Sequence, residues 1–189
     1  MQPRIKVRRE EILDAAVALI REKGESALNA RALAAALHCS TQPIFYNFAT
    51  MEELAEATYD AAYRSYLAAL SREVERGEYP PYKAFGMAYV RFAHEERTLF
   101  RYLFLRDRGG LGFSNAPDFE ASIKMIMKAN GFSRETAERM HLEMWSCVHG
   151  IGTMIATSFL NLEWNLISEM LSDLYQGLRA KHCTRGMSE

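Results

Sequence analysis

Apolar residues recur three and four positions apart along most of this chain, and no stretch alternates apolar and polar residues with a period of two over a useful length. Leu13, Ala16, Val17 and Ile20 show the pattern, which places these side chains on one side of an α-helix. The composition, with 49% apolar and 25% charged residues, is that of a globular protein. The sequence therefore predicts an all-α fold with about nine helices.

Stop and start signals divide the pattern into helices. Gly24 follows a basic last turn, and Asn29, Ser40 and Thr50 are predicted N-caps. In "TMEE" a glutamate follows Thr50 by three residues, which is typical of a capping box. We expect the segment 106–117, with three glycines and a proline, to be the least ordered internal one. The predicted helices are 6–23, 30–37, 41–48 and 51–76, a helical pattern over 82–104, and 118–129, 133–160 and 163–181.

The third predicted helix, in "STQPIFYNF", has two different faces. At 100° per residue, Ile44 and Phe48 point together, with Thr41 and Phe45 beside them. Gln42, Pro43 and Tyr46 point the opposite way, and Asn47 flanks them. A short helix, a tight turn and a second short helix with a face to present are typical of a helix-turn-helix.

The outer face of this helix suits DNA, although it has no charge. Gln42 is able to bond an adenine edge, while Thr41 and Pro43 suit a thymine methyl group. Tyr46 or Asn47 is expected at phosphate oxygens. Nonspecific attraction must come from basic residues elsewhere, because residues 1–48 hold seven Lys or Arg against five Asp or Glu in a chain of net charge −1. The candidates are Arg31 and a flexible arm of Arg4, Lys6, Arg8 and Arg9.

Residues 8–55 resemble the N-terminal DNA-binding domain of TetR-family transcriptional repressors. "ILDAAVALIREKG" resembles the first helix of that domain, "LNARALAAALHCS" the second helix and turn, and "STQPIFYNFATMEEL" the recognition helix and the start of the fourth. The resemblance implies a DNA-binding domain over residues 1–50 and a ligand-binding and dimerisation domain over 51–189. It also implies DNA contacts by Arg31, Thr41, Gln42, Pro43, Phe45, Tyr46, Asn47 and Thr50. Arg8 of the arm is a further candidate contact, because of its charge.

The chain departs from the family pattern at several of these positions. His38 occupies the turn position that usually holds glycine. Phe45, Asn47 and Met51 stand where the family often has Tyr, His and Lys. These differences predict weaker binding, or binding that depends more on the N-terminal arm.

In this family the last two long helices pair with those of a second subunit, which here implies a homodimer through 133–160 and 163–181. Gly150, Gly152 and Ala156 are small enough for close helix approach. Trp145, His149 and Gly150 resemble the WHG-type branch of the family. The resemblance further implies a small-molecule effector. An interior lined by aromatic and methionine side chains would suit an apolar effector. Candidate ligand residues are Tyr89, Phe92, Phe104, Met144, Trp145 and His149; the alternative is that these side chains form the core.

Two rival functions remain. Glu138-x-x-His141 has the spacing of a di-iron ligand pair, but no second pair exists. Since no phosphate-binding or nucleophile motif occurs either, we expect no enzyme, no metal and no cofactor. A helical interaction or ligand-binding module that has lost DNA binding is the second rival. The three cysteines are far apart and no secretory signal is recognised, which predicts a cytoplasmic protein. The segment 144–162 contains a histidine and an asparagine, so we expect a buried helix there and no membrane span.

Overall fold

The computed structural model describes residues 7–106 and 117–185, and within these ranges it contains nine α-helices and no strand. The predicted all-α fold is confirmed. A 3-10 turn at Glu25–Ala27 follows the first helix. The α-helices are α1 (Arg9–Lys23), α2 (Ala30–Ala36), α3 (Gln42–Asn47), α4 (Met51–Arg76), α5 (Pro81–Glu95), α6 (Arg97–Phe104), α7 (Phe119–Asn130), α8 (Arg134–Ala156) and α9 (Trp164–Arg185).

The described residues form two compact units. Unit 1 contains residues 7–66 and Glu96–Arg106, and unit 2 contains Leu67–Glu95 and residues 117–185. Helix α4 therefore supplies residues to both units, and α6 belongs with the N-terminal helices. The functional division into residues 1–50 and 51–189 stays a prediction.

Unit 1 is built around a small apolar core that its short helices share. Helices of six and seven residues are too short to be stable alone in water, so α2 and α3 depend on this packing. Helix α1 also packs against α6, where Arg21 Nε lies 2.8 Å from a carboxylate oxygen of Glu96. The fully buried core side chains include Ile12, Leu33, Ile44, Phe48 and Leu54.

Several predicted helix boundaries need correction. Helix α1 begins at Arg9, not at residue 6. Ser40 is not the N-cap of α3: the cap is Thr41, which has helical backbone angles and makes no side-chain capping bond. The pattern over 82–104 is two helices, because Glu96 has ψ 47° and leaves the helical conformation. The Glu96 side chain then bonds to α1, a contact that local periodicity does not reveal.

Unit 2 has α5 at its centre, in contact with α7, α8 and α9. Gly86 of α5 allows the close approach, since a Cβ at this position would lie 3.2 Å from Leu171 Cδ1 of α9. Most of segment 106–117, predicted to be the least ordered, lies outside the described residues. Among those residues, no helix combines the length and apolar character that a membrane span requires.

Candidate nucleic-acid interface

The turn between α2 and α3 has the geometry of a helix-turn-helix. His38 adopts a left-handed conformation with φ 51°, at the position where glycine is usual. The Cys39 N–H donates to Ala34 O at 2.9 Å, which closes the end of α2, and the Cys39 side chain packs against the unit 1 core. The chain can therefore reverse direction here without glycine.

Helix α3 separates its side chains as the helical angles predict. Ile44 and Phe48 are buried, whereas Tyr46 is 90% exposed and Gln42 is also exposed. Phe45, expected beside the packing face, is 47% exposed and adds an aromatic ring to the outer surface. Pro43 lies in the first turn, where the helix has no use for its missing N–H. The outer surface of α3 is thus polar and aromatic, with no charged side chain.

Arg9 is not part of a flexible arm, contrary to the expectation from the sequence. It is the first residue of α1, and its Nη1 donates to Asn47 O at 2.8 Å and to Glu53 Oε1 at 3.1 Å. Its guanidinium lies 4.0 Å above the ring of Phe48. Arg9 therefore fastens the end of α3 to α1 and to the start of α4.

The side chain of Asn47 also makes contacts within unit 1. Its Nδ2 donates to Pro43 O at 2.8 Å and to Val7 O at 3.2 Å. An amide nitrogen has two hydrogens, so both are engaged. The sequence did not reveal the bond to Val7, which joins residues forty positions apart.

The start of α4 confirms Thr50 as an N-cap. The Glu53 N–H donates to Thr50 Oγ1 at 3.1 Å, and the Glu53 carboxylate accepts from Ala49 N–H at 2.7 Å. The bond from Ala49, followed by that from Arg9, lowers the pKa of Glu53. Thr50 is exposed at this helix N-terminus, where free N–H groups and the helix dipole favour an anion.

The other two basic candidates that the structure describes, Arg8 and Arg31, are both exposed. Arg31 lies in the first turn of α2 and forms no ion pair with any residue that the structure describes. Arg8, whose side chain is 70% exposed, pairs with Glu11 at 2.9 Å. That carboxylate also accepts from the Arg8 backbone N–H, the main reason why its pKa is lowered. Arg4 and Lys6 lie outside the described residues.

Residues 12–58 match the family described as bacterial regulatory proteins, tetR family. The chain carries the N-terminal domain of the TetR family. This match confirms the resemblance of the N-terminal segment to the TetR-family DNA-binding domain. No curated protein sequence matches the chain significantly.

Solved structures share the fold over almost the whole chain. A TetR-like transcriptional regulator from Rhodococcus sp. RHA1 has a TM-score of 0.65 at 17% identity, over 93% of this chain and 97% of its own. A protein of unknown function from Rhodococcus sp. RHA1 reaches 0.74 at 22% identity, over 95% and 100%. The multidrug binding protein EbrR in complex with ethidium gives 0.60 at 22% identity, over 92% and 99%.

In unit 2, three of the candidate ligand residues form one cluster. The rings of Trp145 and His149 stack with centroids 4.6 Å apart and planes 14° apart. Tyr89 Oη lies 2.8 Å from His149 Nδ1. Burial lowers the pKa of His149, which favours the neutral imidazole. Trp145 and His149 are half-buried and Tyr89 is buried, so the cluster reaches from the core to the surface.

The other three candidate ligand residues are divided between the two units. Phe92 and Met144 are buried in unit 2. Phe104 is in unit 1, where its ring packs on those of Tyr63 and Tyr66 at centroid distances of 6.3 Å and 5.1 Å. The structure therefore does not join Phe104 to the Trp145 cluster within one unit.

A second polar cluster in unit 2 was not predicted. Tyr82 Oη lies 2.9 Å from His141 Nδ1, and Asn130 Nδ2 donates to Tyr175 Oη at 2.8 Å. Burial lowers the pKa of His141 to about 4. His141, which the sequence placed in a possible iron-ligand spacing, is thus a buried hydrogen-bonding group. Among the described residues, no group of three or more His, Cys, Asp or Glu could hold a metal ion.

Two of the three small residues expected at a dimer interface are buried inside the chain. Gly152 and Ala156 are buried within the chain's own core and are not available to a second subunit. Gly150 is open, with nothing within 4 Å of a Cβ added there. Large apolar side chains of α8, of α9 and of the segment between them are exposed instead; they are Leu142, Phe159, Leu160, Leu166 and Met170.

Proposed function

We propose that the protein is a transcriptional repressor that binds a near-palindromic operator as a homodimer and is released by a small-molecule effector. One observation carries the DNA-binding part: the outer surface of α3 is presented to solvent while Ile44 and Phe48 fasten the helix to the core. A helix that packs on the core through Ile44 and Phe48, and exposes an amide and two aromatic rings on its other side, is suited to reading base edges.

The proposed contacts follow from exposure and donor type. Gln42 bonds a base edge, and Tyr46 donates its phenol O–H to a phosphate oxygen or a base. Thr41, Pro43 and Phe45 supply apolar contact to thymine methyl groups. Thr50, at the N-terminus of α4, meets a phosphate, and the exposed Arg8 and Arg31 supply positive charge.

The exposed apolar residues of α8 and α9 support the homodimer. Leu166 and Met170 are one turn apart on α9, and Gly177 continues the same line with open space beside it. Phe159, just beyond α8, is 81% exposed. Contact of so much apolar surface with water is unfavourable. If two copies of the chain pair through this same surface about a two-fold axis, the surface is buried on both subunits. Gly177, which has no side chain, would allow the two subunits' helices to approach closely at that point.

Dimerisation also gives the spacing that operator binding needs. Two recognition helices about 34–36 Å apart enter successive major grooves of a near-palindromic site. An effector that binds unit 2 and favours a different spacing weakens DNA binding, and DNA must weaken effector binding by the same factor. The Trp145–His149–Tyr89 cluster supports an effector with an aromatic or apolar surface, as does the ethidium complex of EbrR.

The reading surface is tested by DNA selection and mobility shift. Wild-type protein selects duplexes from a random-sequence pool, and the selected duplex is titrated with Gln42→Ala and Tyr46→Ala. Each substitution should raise the Kd about fivefold or more, because each lost base contact costs about 1–3 kcal/mol. Tyr79→Ala, which removes a half-buried tyrosine from unit 2, is the matched control. Unchanged affinity in both α3 variants would refute the assignment.

The second candidate function is a helical interaction or ligand-binding module without DNA binding. The occupied donors of Asn47 and the uncharged surface of α3 favour it. Selection that enriches no duplex at low salt, while the protein remains folded, would support this alternative.

A further inference from the structure

Thr153 of α8 has a side-chain oxygen that is buried without a hydrogen bond. The residue as a whole is half-buried, but its Oγ1 is shielded from solvent and has no hydrogen-bond partner among the residues that the structure describes. A helical threonine or serine commonly bonds the carbonyl four residues back. Thr58 bonds Leu54 O in this way at 2.7 Å, and on α8 itself Ser146 bonds Leu142 O at 2.8 Å. The Thr153 hydroxyl does not make this local bond.

A buried hydroxyl without a partner is unfavourable for the folded protein. Most buried polar side-chain atoms in folded proteins have at least one hydrogen-bond partner. Removing a hydroxyl from water without replacing its hydrogen bonds costs free energy. A ligand that supplies the missing partner of Thr153 would remove that cost.

Thr153 continues a line of side chains that begins with the stacked rings of α8. Trp145, His149 and Thr153 are four residues apart, so each lies about 6 Å along the helix axis from the one before. Each step also turns by about 40° around the helix. The line runs beside Leu142 and Ser146, which are exposed. An aromatic surface and a hydroxyl therefore lie next to each other, at the border of the solvent-facing side of α8.

Helix α5 lies alongside this line and runs in the same direction as α8. Tyr82 bonds His141. Tyr89, seven residues later on α5, bonds His149, which is eight residues beyond His141 on α8. Because the contacts advance together, the two helices are parallel here. Thr153, four residues beyond His149, is therefore level with the last turn of α5.

The side chains around the line indicate a neutral, flat ligand. Phe92 and Ala93, in the last turn of α5, are apolar and buried. Tyr89, Trp145 and His149 add aromatic surface without formal charge, because burial lowers the pKa of His149 and favours the neutral imidazole. An ion would lose its hydration here without meeting an opposite charge among these side chains. A hydroxyl both donates and accepts, so one oxygen or nitrogen on the ligand is enough to pair it.

We propose that Thr153 is the hydrogen-bonding residue of an effector site: a neutral, planar aromatic molecule packs against Trp145 and His149 and bonds the Thr153 hydroxyl through one oxygen or nitrogen. This inference rests on the proposed effector binding and gives the chemical class of the effector. The hydroxyl is paired only in the complex. The ligand-free protein is therefore less stable than it would be with an apolar side chain of the same shape at this position.

The first experiment replaces threonine by valine, which has nearly the same shape but no hydroxyl. Thr153→Val removes an unpartnered group, and we expect the melting temperature of the ligand-free protein to rise by about 2–4 °C. Thr58→Val is the matched control, because it removes a buried hydroxyl that bonds Leu54 O, and its melting temperature should fall. A fall for Thr153→Val would overturn the inference, because the hydroxyl would then already have a partner in the free protein.

The second experiment measures ligand binding by equilibrium dialysis in the absence of DNA. The probes are 2-naphthol and naphthalene, which share one flat ring system and differ by a hydroxyl group. The ratio of the 2-naphthol affinity to the naphthalene affinity should fall about threefold to tenfold in Thr153→Val, because one hydrogen bond is lost. In Trp145→Leu both affinities should fall and their ratio should stay the same, since only aromatic contact is removed.

The outcomes separate this inference from the proposed function. An unchanged affinity ratio in Thr153→Val, or a wild-type protein that binds neither probe, would overturn the effector site. A protein that selects a duplex from a random-sequence pool and binds neither probe would retain the proposed DNA binding and lose the site. A protein that binds 2-naphthol with the expected ratio but selects no duplex would retain the site and lose the proposed DNA binding.

Discussion

Tyr89 of α5 and His149 of α8 are joined by a hydrogen bond of 2.8 Å between the phenol oxygen and Nδ1, in a site where Tyr89 is only 3% exposed. The same imidazole stacks on Trp145. One hydroxyl group therefore holds the stacked pair against the buried face of α5.

Removing that hydroxyl should destabilise the fold. Tyr89→Phe loses the bond to His149 in a buried place, and we expect a loss of about 1–2 kcal/mol in the free energy of unfolding. Urea denaturation at pH 7.5 measures the difference. Tyr46→Phe is the matched control, because it removes a hydroxyl from a tyrosine that is 90% exposed. Equal effects of the two changes would contradict the structural role of the buried bond.

Acid should weaken the fold through His141. Its pKa is lowered from 6.5 to about 4 by burial, so between these values the unfolded chain binds a proton that the folded chain excludes. Stability is therefore full above pH 6.5 and falls as the pH is lowered. The expected loss between pH 7.5 and pH 5 is about 2 kcal/mol from this group.

The measurement compares urea unfolding at the two pH values in wild-type protein and in His141→Gln. The variant should lose less stability than the wild type on acidification, because glutamine binds no proton in either the folded or the unfolded state. The same pH dependence in both proteins would assign the effect to other groups.

The exposed line on α9 predicts the oligomeric state. Leu166→Glu combined with Met170→Glu places four carboxylates in the proposed dimer interface, where their desolvation and repulsion cost several kcal/mol. Sedimentation equilibrium at micromolar concentration should show a wild-type dimer and a variant monomer. Leu105→Glu, an exposed leucine of unit 1, is the control and should leave the dimer intact. A monomeric wild-type protein would refute the interface.

The two faces of α3 should separate stability from DNA binding. Ile44→Ala removes a fully buried side chain and should cost about 2–4 kcal/mol in the free energy of unfolding. Tyr46→Ala, on the exposed face, should change that free energy by about 0.5 kcal/mol or less. Thermal melts followed by circular dichroism distinguish them. A large destabilisation by Tyr46→Ala would mean that its ring packs in the fold.

Local sequence signals predicted most of the helices, because helical spacing and capping residues act within one or two turns. Asn29 and Thr50 cap their helices as expected. Ser40 does not, since the backbone bond from Ile44 N–H goes to Thr41 O and the helix begins one residue later. Trp145 and His149 stack as their spacing of four residues allowed.

Contacts between distant parts of the sequence were not predictable in this way. Arg9 was expected in a mobile arm, but its partners are Asn47 and Glu53, about forty residues further on. Gly152 and Ala156 were expected at a subunit interface because they are small, yet small residues are equally suited to packing inside one chain. The spacing of apolar residues along the sequence predicts a helix, whereas the packing of neighbouring elements decides which side of that helix is exposed.

For the proposed function, the uncharged outer surface of α3 also affects how the protein would distribute itself over a genome. Random DNA competes for a regulator mainly through its phosphates, and each positive charge on the reading helix would strengthen that competition at every site equally. A recognition helix without lysine or arginine forgoes this general attraction. Under the proposed function, a larger share of the molecules then stays free to occupy the few sites whose bases match Gln42 and Tyr46.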